Sequence, residues 1–535
     1  MERMSAAHDP ATSEPVATAP ADRSDPAQLP RRTSLPVRAM EQLTLQQVLF
    51  AAAVLLYVAY FTKRSLDLHH GLATSSYDSA LYDQGMWLLS RFDAPFVTLM
   101  GRNLFGDHTS FILLGLVPFY WIAPAAGIMF FAQAAAIGAG AIPVFLVARR
   151  RLASEWAALV AGSAYLIHPA VGWTNLENFH PDAFLGVFVG FALYAALEER
   201  WRTYLVFIVL ALLVKEDASL VVVPLGIWVA LKRDRRIGLL TVLGSLAFMA
   251  VAMFLVMRSL IGVPTRNTWR IPFGGPRGLI DTALTNPTAL LRHLRSDDRP
   301  WYLVQMTAPF AWLFLRKPSV AAISAIVLFT NILSTFWYQY QIEYHYSLVA
   351  VPALSIGTVY AIGAMRDSAT LQVADAAGTR RPVTVPLRRV AIALLGAAAL
   401  LASFLWAPVP WGRTPLYYGD PDGAGAVDAR QIVALVPADA SVAAHHRLTP
   451  HLAHRKEIYQ FPTPFRVELY GPDDSLGGTR LDDRAEGVDF VVIPVARDAQ
   501  LVADWAAIEE AFVQVAANEH WVLYERDRSV PLPEP

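Results

Sequence analysis

The chain has 535 residues and a net charge of −1; 55% of its residues are apolar and 17% charged, against about 25% charged in an average soluble domain. Its uncharged runs, such as the thirty-eight positions Phe111–Ala148, exceed the roughly 18 residues that mark a membrane-spanning helix, which excludes a soluble enzyme, a fibrous protein and a disordered chain. Near-neutral charge provides no overall field for nucleic acid, and the absence of cysteine removes disulfides, cysteine-ligated zinc and thiol nucleophiles.

Residues 1–40 are rich in Ala, Pro, Ser, Asp and Arg without an apolar period, and read as a disordered cytoplasmic tail. The region 41–410 reads as an all-α polytopic membrane bundle. Its first span lies near Leu43–Thr62. Others are expected at about 125–148, 153–172, 183–197, 203–214, 218–231, 237–260, 300–315, 318–338, 346–364 and 390–408, about eleven in all. Phe111–Ile122, between Pro118 and Pro124, is too short to cross and reads as an interfacial or dipping helix. Lys and Arg collect at 149–151, 200/202, 232–236, 316/317 and 380–389, which assigns those connections to the cytoplasm; Lys63 and Arg64 are the exception. The outer face of the plasma membrane then receives a long first loop (63–110), Trp173–Asp182, the loop 261–299 and the region 411–535. That last region reads as a small extracytoplasmic α/β domain. Strands are expected at Ser441–Ala444 and Val488–Val495, a helix at Asp498–Ala517 and a closing strand at Trp521–Tyr524.

Ionisable residues gather in the connections assigned to that outer face. Asp78 precedes a helical-looking segment, so it reads either as a helix cap or as a reactive carboxylate. Asp83 lies five residues on, about 140° around a continuous helix; the two share a site only if Asp78 belongs to a loop. Asp107 and His108 combine a carboxylate with an imidazole, a pairing suited to metal ligation or acid–base work. Lys215-Glu216-Asp217 splits apolar segments of 12 and 14 residues. Helices that short reach about 18–21 Å against a core of about 30 Å, so the charged turn is expected to sink into the protein and face a polar cavity. Asp182 suits the N-cap of the following span, leaving Glu177 and His180 without a capping role. Glu343 and His345 stand beside tyrosines of the interfacial-belt kind, and Arg266 and Arg270 suit a phosphate. Acid, imidazole and cation above apolar helices are what a lipid-linked phosphosugar requires: a groove for the tail, cations or a metal for phosphate, and a base for the acceptor hydroxyl.

At these positions the sequence resembles a known family. Tyr77-Asp78-x4-Asp83-Gln84-x2-Trp87, Gly106-Asp107-His108, Pro118-x-Tyr120, His180-Pro181-Asp182, Lys215-Glu216-Asp217 and Pro437-x-Asp439-Ala440-Ser441-Val442 are together similar to the bacterial membrane proteins grouped as Domain of Unknown Function 2079. That family is related to the glycosyltransferase C superfamily. The resemblance implies a multi-helix fold with a large first outer loop, a C-terminal outer domain, and polyprenyl-phosphate sugars as donors. It also implies an acidic catalytic base early in the first loop, which Asp78 matches best and Asp83 second. On this basis the expected activity is transfer of a sugar from a polyprenyl-phosphate donor to an envelope acceptor. Lys215, Arg266, His180, Glu343 and His345 would contact substrate. Asp107, His108, Glu216 and Asp217 would hold a divalent metal, the candidate cofactor. Membrane lipid and the donor are the expected partners, with no nucleic acid. The competing readings are a lipid transporter or flippase, which needs a charged path to both faces, and a non-catalytic envelope-glycan-binding relative.

Overall fold

The structure, a computed structural model, describes residues 43–265, 267–374, 380–415, 419–472 and 475–534. The expected tail 1–40 lies outside them. The chain divides into Met1–Thr44 and Leu45–Pro535, and the described secondary structure belongs to the second unit.

Helices dominate. Among the described residues, five are long and apolar enough to cross a bilayer: α1 (Leu45–His70), Ala126–Leu152, Arg235–Ile261, His345–Gly363 and Leu387–Trp406. Local chemistry sets several boundaries. Ser154 caps Glu155–Leu166 by accepting from the Ala157 N–H, and Asp234 caps the helix at Arg235 by accepting from two N–H groups. The expected span at 300–315 is broken instead: helix Arg299–Thr307 gives way to short 3₁₀ turns at Pro309, with Ala311 and Trp312 in the left-handed region. Phe111–Ile122 forms a 3₁₀ turn and a six-residue helix.

The basic connections meet at one end of the bundle. Arg150 pairs with Glu198, Arg151 and Lys317 both lie over the Tyr360 ring, and Arg388 bonds the carbonyls of Gly363 and Met365. Gln47, near the start of α1, bonds Glu155 at this end. A two-stranded hairpin, Ala369–Ala374 with Arg380–Val385, joins the last two long helices, where the sequence suggested only a basic linker. Because α1 begins at the basic end, its C-terminus delivers the loop after His70 to the opposite end.

There the loop meets the C-terminal region. Strands β1 (Val442–Ala444), β2 (Ile458–Gln460), β3 (Phe490–Pro494), β4 (Phe512–Ala517) and β5 (Trp521–Arg526) form one sheet in the order β2-β1-β3-β5-β4. β1 runs parallel to β2 and β3, and β5 antiparallel to β3 and β4. One hydrophobic core joins this sheet to the first loop through residues such as Leu81, Met86, Met100, Val442, Ile458 and Leu523. A second core lies around Tyr459, Val491 and Trp505. The expected helix at Asp498–Ala517 is a correction: the helix is Ala499–Ala506, and Phe512–Ala517 is strand β4. The run Phe-Val-Gln-Val is rich in strand-favouring side chains, and pairing with β5 satisfies its backbone.

Candidate active site

Asp78 lies in a kinked turn, Ser76–Ala80, with φ +70°. A left-handed aspartate is uncommon and needs outside support. That support comes from both sides. The Ser75 N–H and the Ser79 hydroxyl donate to Asn178 Oδ1 at 3.3 and 2.9 Å, Ser76 bonds Thr449 at 2.7 Å, and the Tyr77 hydroxyl donates to the Leu469 carbonyl. Asp78 makes no capping bond. The turn is held between the segment 174–182 and the C-terminal region, so its carboxylate is aimed rather than free.

Around it the structure assembles residues far apart in sequence. Asp78 Oδ2 lies 3.4 Å from His180 Nε2. The His180 and His345 rings stack with centroids 3.7 Å apart. Glu177 accepts from the His345 backbone N–H at 2.6 Å and lies 3.0 Å from its Nδ1. Asp182 stands at the start of the helix Ala183–Leu197 but its side chain accepts no capping bond from it; its carboxylate lies 3.7 Å from Lys215 Nζ instead. Asp217 is also 3.7 Å from that ammonium. Lys215 and Glu216 are buried, in a turn between helices of 12 and 14 residues, as the segment lengths required.

A cavity of about 460 Å³ opens over this cluster, lined by Tyr77, Asp78, Tyr82, Arg102, Asp107, His108, His180, Asp182, Lys215, Arg270, His345 and Tyr346 among others. A neighbouring cavity of about 520 Å³ shares His108, Lys215, Arg270 and Tyr346 with it, and continues between Leu220, Met249, Met253, Ile271 and Leu279. One chamber is polar and the next largely apolar, and the cations stand where they meet.

The electrostatics follow from this crowding. Desolvation pushes the Asp78 carboxyl up, but the facing His180 imidazole, with His345 and Lys215, outweighs it, and the net is a carboxylate held below its ordinary range. Asp107 is likewise desolvated yet held low by Arg102, which bonds it at 2.8 Å. Glu177 goes the other way. Burial drives it up to about 8 against the pull of His180, and the nearby Asp78 charge adds to the rise.

The sequence-derived candidates fall into distinct places. Asp78, Asp107, His108, His180, Lys215 and His345 line the polar cavity; Glu216 and Asp217 line the adjoining one. Within the four suggested metal ligands, Asp107 is bonded to Arg102 and Glu216 to His108 at 2.8 Å and to the Thr109 N–H at 3.1 Å. The set of His and acidic side chains whose ligand atoms lie within 4.8 Å of one another, among the described residues, is Glu177, His180 and His345. Asp83 lies elsewhere, buried and bonded to the Tyr120 hydroxyl at 2.8 Å and His454 Nε2 at 3.0 Å. Glu343 is half-buried and outside both cavity linings, and Arg266 lies outside the described residues. Arg102 and Tyr346 were not singled out by sequence. No local motif marks Arg102, and Tyr346 looks like any belt tyrosine.

The sequence matches a family described as predicted membrane protein (DUF2079) over residues 68–530. No curated protein matches it. In fold it is similar to ArnT from Cupriavidus metallidurans in two crystal structures. With the structure bound to undecaprenyl phosphate the TM-score is 0.53 at 15% identity, covering 91% of this chain and 99% of that one. With the apo structure it is 0.55 at 15% identity, covering 91% and 98%. These likenesses establish a glycosyltransferase-C fold. The chain therefore belongs to the DUF2079 family of membrane proteins, built on that fold with a small C-terminal sheet region.

Proposed function

We propose that the protein is a membrane glycosyltransferase that moves a sugar from a polyprenyl-phosphate donor to an envelope acceptor on the outer face of the plasma membrane. The observation that carries this reading is the junction of the two chambers: Asp78 in a polar cavity, Lys215 and Arg270 at its border, and an apolar groove beyond them. The polyprenyl tail would lie in the groove, its phosphate against the two cations. Asp78, ionised at neutral pH, would take the acceptor hydroxyl proton as the acceptor oxygen bonds to the anomeric carbon. The bond from that carbon to the phosphate oxygen breaks, and the charge released on the phosphate meets Lys215 and Arg270. The undecaprenyl phosphate bound to the similarly folded ArnT supports a polyprenyl carrier. The gathering of basic connections at the end opposite the cavity supports an outer-facing site and an extracytoplasmic C-terminal region.

The test is direct. Purified protein is incubated with a panel of polyprenyl-phosphate monosaccharides and envelope extracts, and released polyprenyl phosphate is measured. Release by the native chain and its loss in Asp78→Asn, with binding of polyprenyl phosphate retained, are the expected results. A folded native chain that neither binds the carrier nor releases it from any donor overturns the reading.

A further inference from the structure

We propose that the helical hairpin 276–295 rests on the membrane surface at the cavity end of the bundle and binds the headgroups of anionic phospholipid. Its two helices, Pro276–Thr285 and Pro287–Arg295, have 10 and 9 residues. Each opens on a proline, where the missing N–H is not needed. The Asn286 side chain caps the second by accepting from the Ala289 N–H at 3.2 Å. At about 15 Å in length, neither can cross a hydrocarbon core of about 30 Å. Neither helix buries a residue, and Ile280, Leu284 and Leu291 are 61%, 79% and 51% exposed. Apolar side chains left bare on helices too short to span belong at the interface.

Charge names the lipid. Arg277 shares a helical stripe with Ile280 and Leu284, and Leu291 shares one with Arg295, beside Arg292. The three arginines are exposed, and among the described residues none has an ion-pair partner. Asp281 is the hairpin's single acidic residue. The His293 ring meets that of Phe273 at a centroid distance of 5.6 Å, so the second helix returns beside the start of the first and brings Arg292 and Arg295 back toward Arg277. The other basic connections lie at the opposite end of the bundle, where the positive-inside bias puts them; arginines at this end need a local reason. A surface that is apolar and cationic at once fits a leaflet with anionic headgroups. The depth agrees. The Arg270 carbonyl accepts from the Thr335 N–H at 2.9 Å, which joins the approach to the hairpin to a segment flanked by the exposed indoles of Trp269 and Trp337, side chains of the interfacial belt. His293 Nε2 lies 2.8 Å from the Leu333 carbonyl and fixes the second helix to the bundle with Leu291, Arg292 and Arg295 outward.

Docking is independent of the transferase reading, although Pro276, Leu279 and Ile280 also wall the apolar chamber. The absence of native cysteine allows a single nitroxide per chain. Full-length Leu284→Cys is labelled and reconstituted singly into nanodiscs of phosphatidylcholine with increasing phosphatidylglycerol. Relaxation of the label by oxygen and by an aqueous nickel chelate reports its depth. Val513→Cys, exposed on the edge strand β4, is the aqueous control. Phosphatidylglycerol should shield the label at 284 from nickel and leave the control accessible. Arg277→Gln, Arg292→Gln and Arg295→Gln should each weaken docking about fivefold, read as more phosphatidylglycerol needed for half-shielding. Nickel access at 284 equal to that at 513 in every disc overturns the proposal. So does shielding indifferent to phosphatidylglycerol or to the arginines. Shielding that appears only when two chains share a disc also overturns it, and makes this face a contact between copies.

Discussion

Two histidine–carboxylate clusters lie close together at one end of the bundle, and they are built on opposite principles. At the junction with the C-terminal region, Asp83 receives the Tyr120 hydroxyl and faces His454 Nε2, both at hydrogen-bond length. At the cavity, His180 Nε2 faces Asp78 and Glu177 at 3.4 and 3.9 Å, looser than those contacts. The first cluster is complete and joins two parts of the chain. The second is loosely spaced, set on a left-handed turn and open to a chamber. Similar residue types thus make a closed joint in one place and line an open chamber in the other.

Exchanging the two aspartates for asparagine is the sharpest way to break this contrast. Asp78→Asn removes the proposed base and should lower transfer by about 10²–10⁴-fold with little change in thermal stability. Asp83→Asn should do the reverse, weakening two buried charge-assisted contacts at a cost of about 3 kcal/mol while surviving folded protein keeps its turnover. A thermal-shift assay beside a transfer assay reads both. If Asp83→Asn abolishes turnover in fully folded protein, the division between the clusters is wrong.

Sequence alone exposed one side of this contrast better than the other. The apolar runs gave the spans because a bilayer demands length and hydrophobicity, and the short segments flanking Lys215 showed that this turn is sunk. Asp78 and His180 were visible as polar residues at helix ends. Their meeting was not, because it depends on a left-handed turn held by Asn178 and Thr449. Asp83 ranked second to Asp78 as a candidate, and its separate setting was hidden because its partners Tyr120 and His454 lie 37 and 371 residues away. Strand β4 was misread as helix for the same reason: the ladder with β5, rather than local pattern, fixes its backbone.

On the cavity side, Lys215 sharpens the comparison. Its ammonium is shared by Asp182 and Asp217 at 3.7 Å each, contacts too long to spend its hydrogen bonds fully. Lys215→Met should weaken binding of undecaprenyl phosphate about 10–100-fold, the worth of one or two charge-assisted hydrogen bonds. Its effect on donors should appear mainly in KM. Unchanged carrier affinity in vesicle pull-down would move the phosphate site away from this turn.

The smallest effect belongs to the cohesive side, and its sign is fixed by burial. The His451 ring lies tilted against that of His69, with centroids 4.3 Å apart. Burial, then the charge of His70, lowers its pKa from 6.5 to about 4. The unfolded chain therefore binds a proton between about pH 6.5 and 4 that the folded chain refuses, so stability is intact above pH 6.5 and falls as the pH drops through this window. The loss should be on the order of 2 kcal/mol. His451→Phe keeps the ring contact and removes the titration, so its melting temperature should fall less than that of the native chain between pH 7 and 4.5. A native melting profile flat over that interval, or one unaltered by His451→Phe, would show that this junction does not exclude the proton and is wetter than its packing indicates.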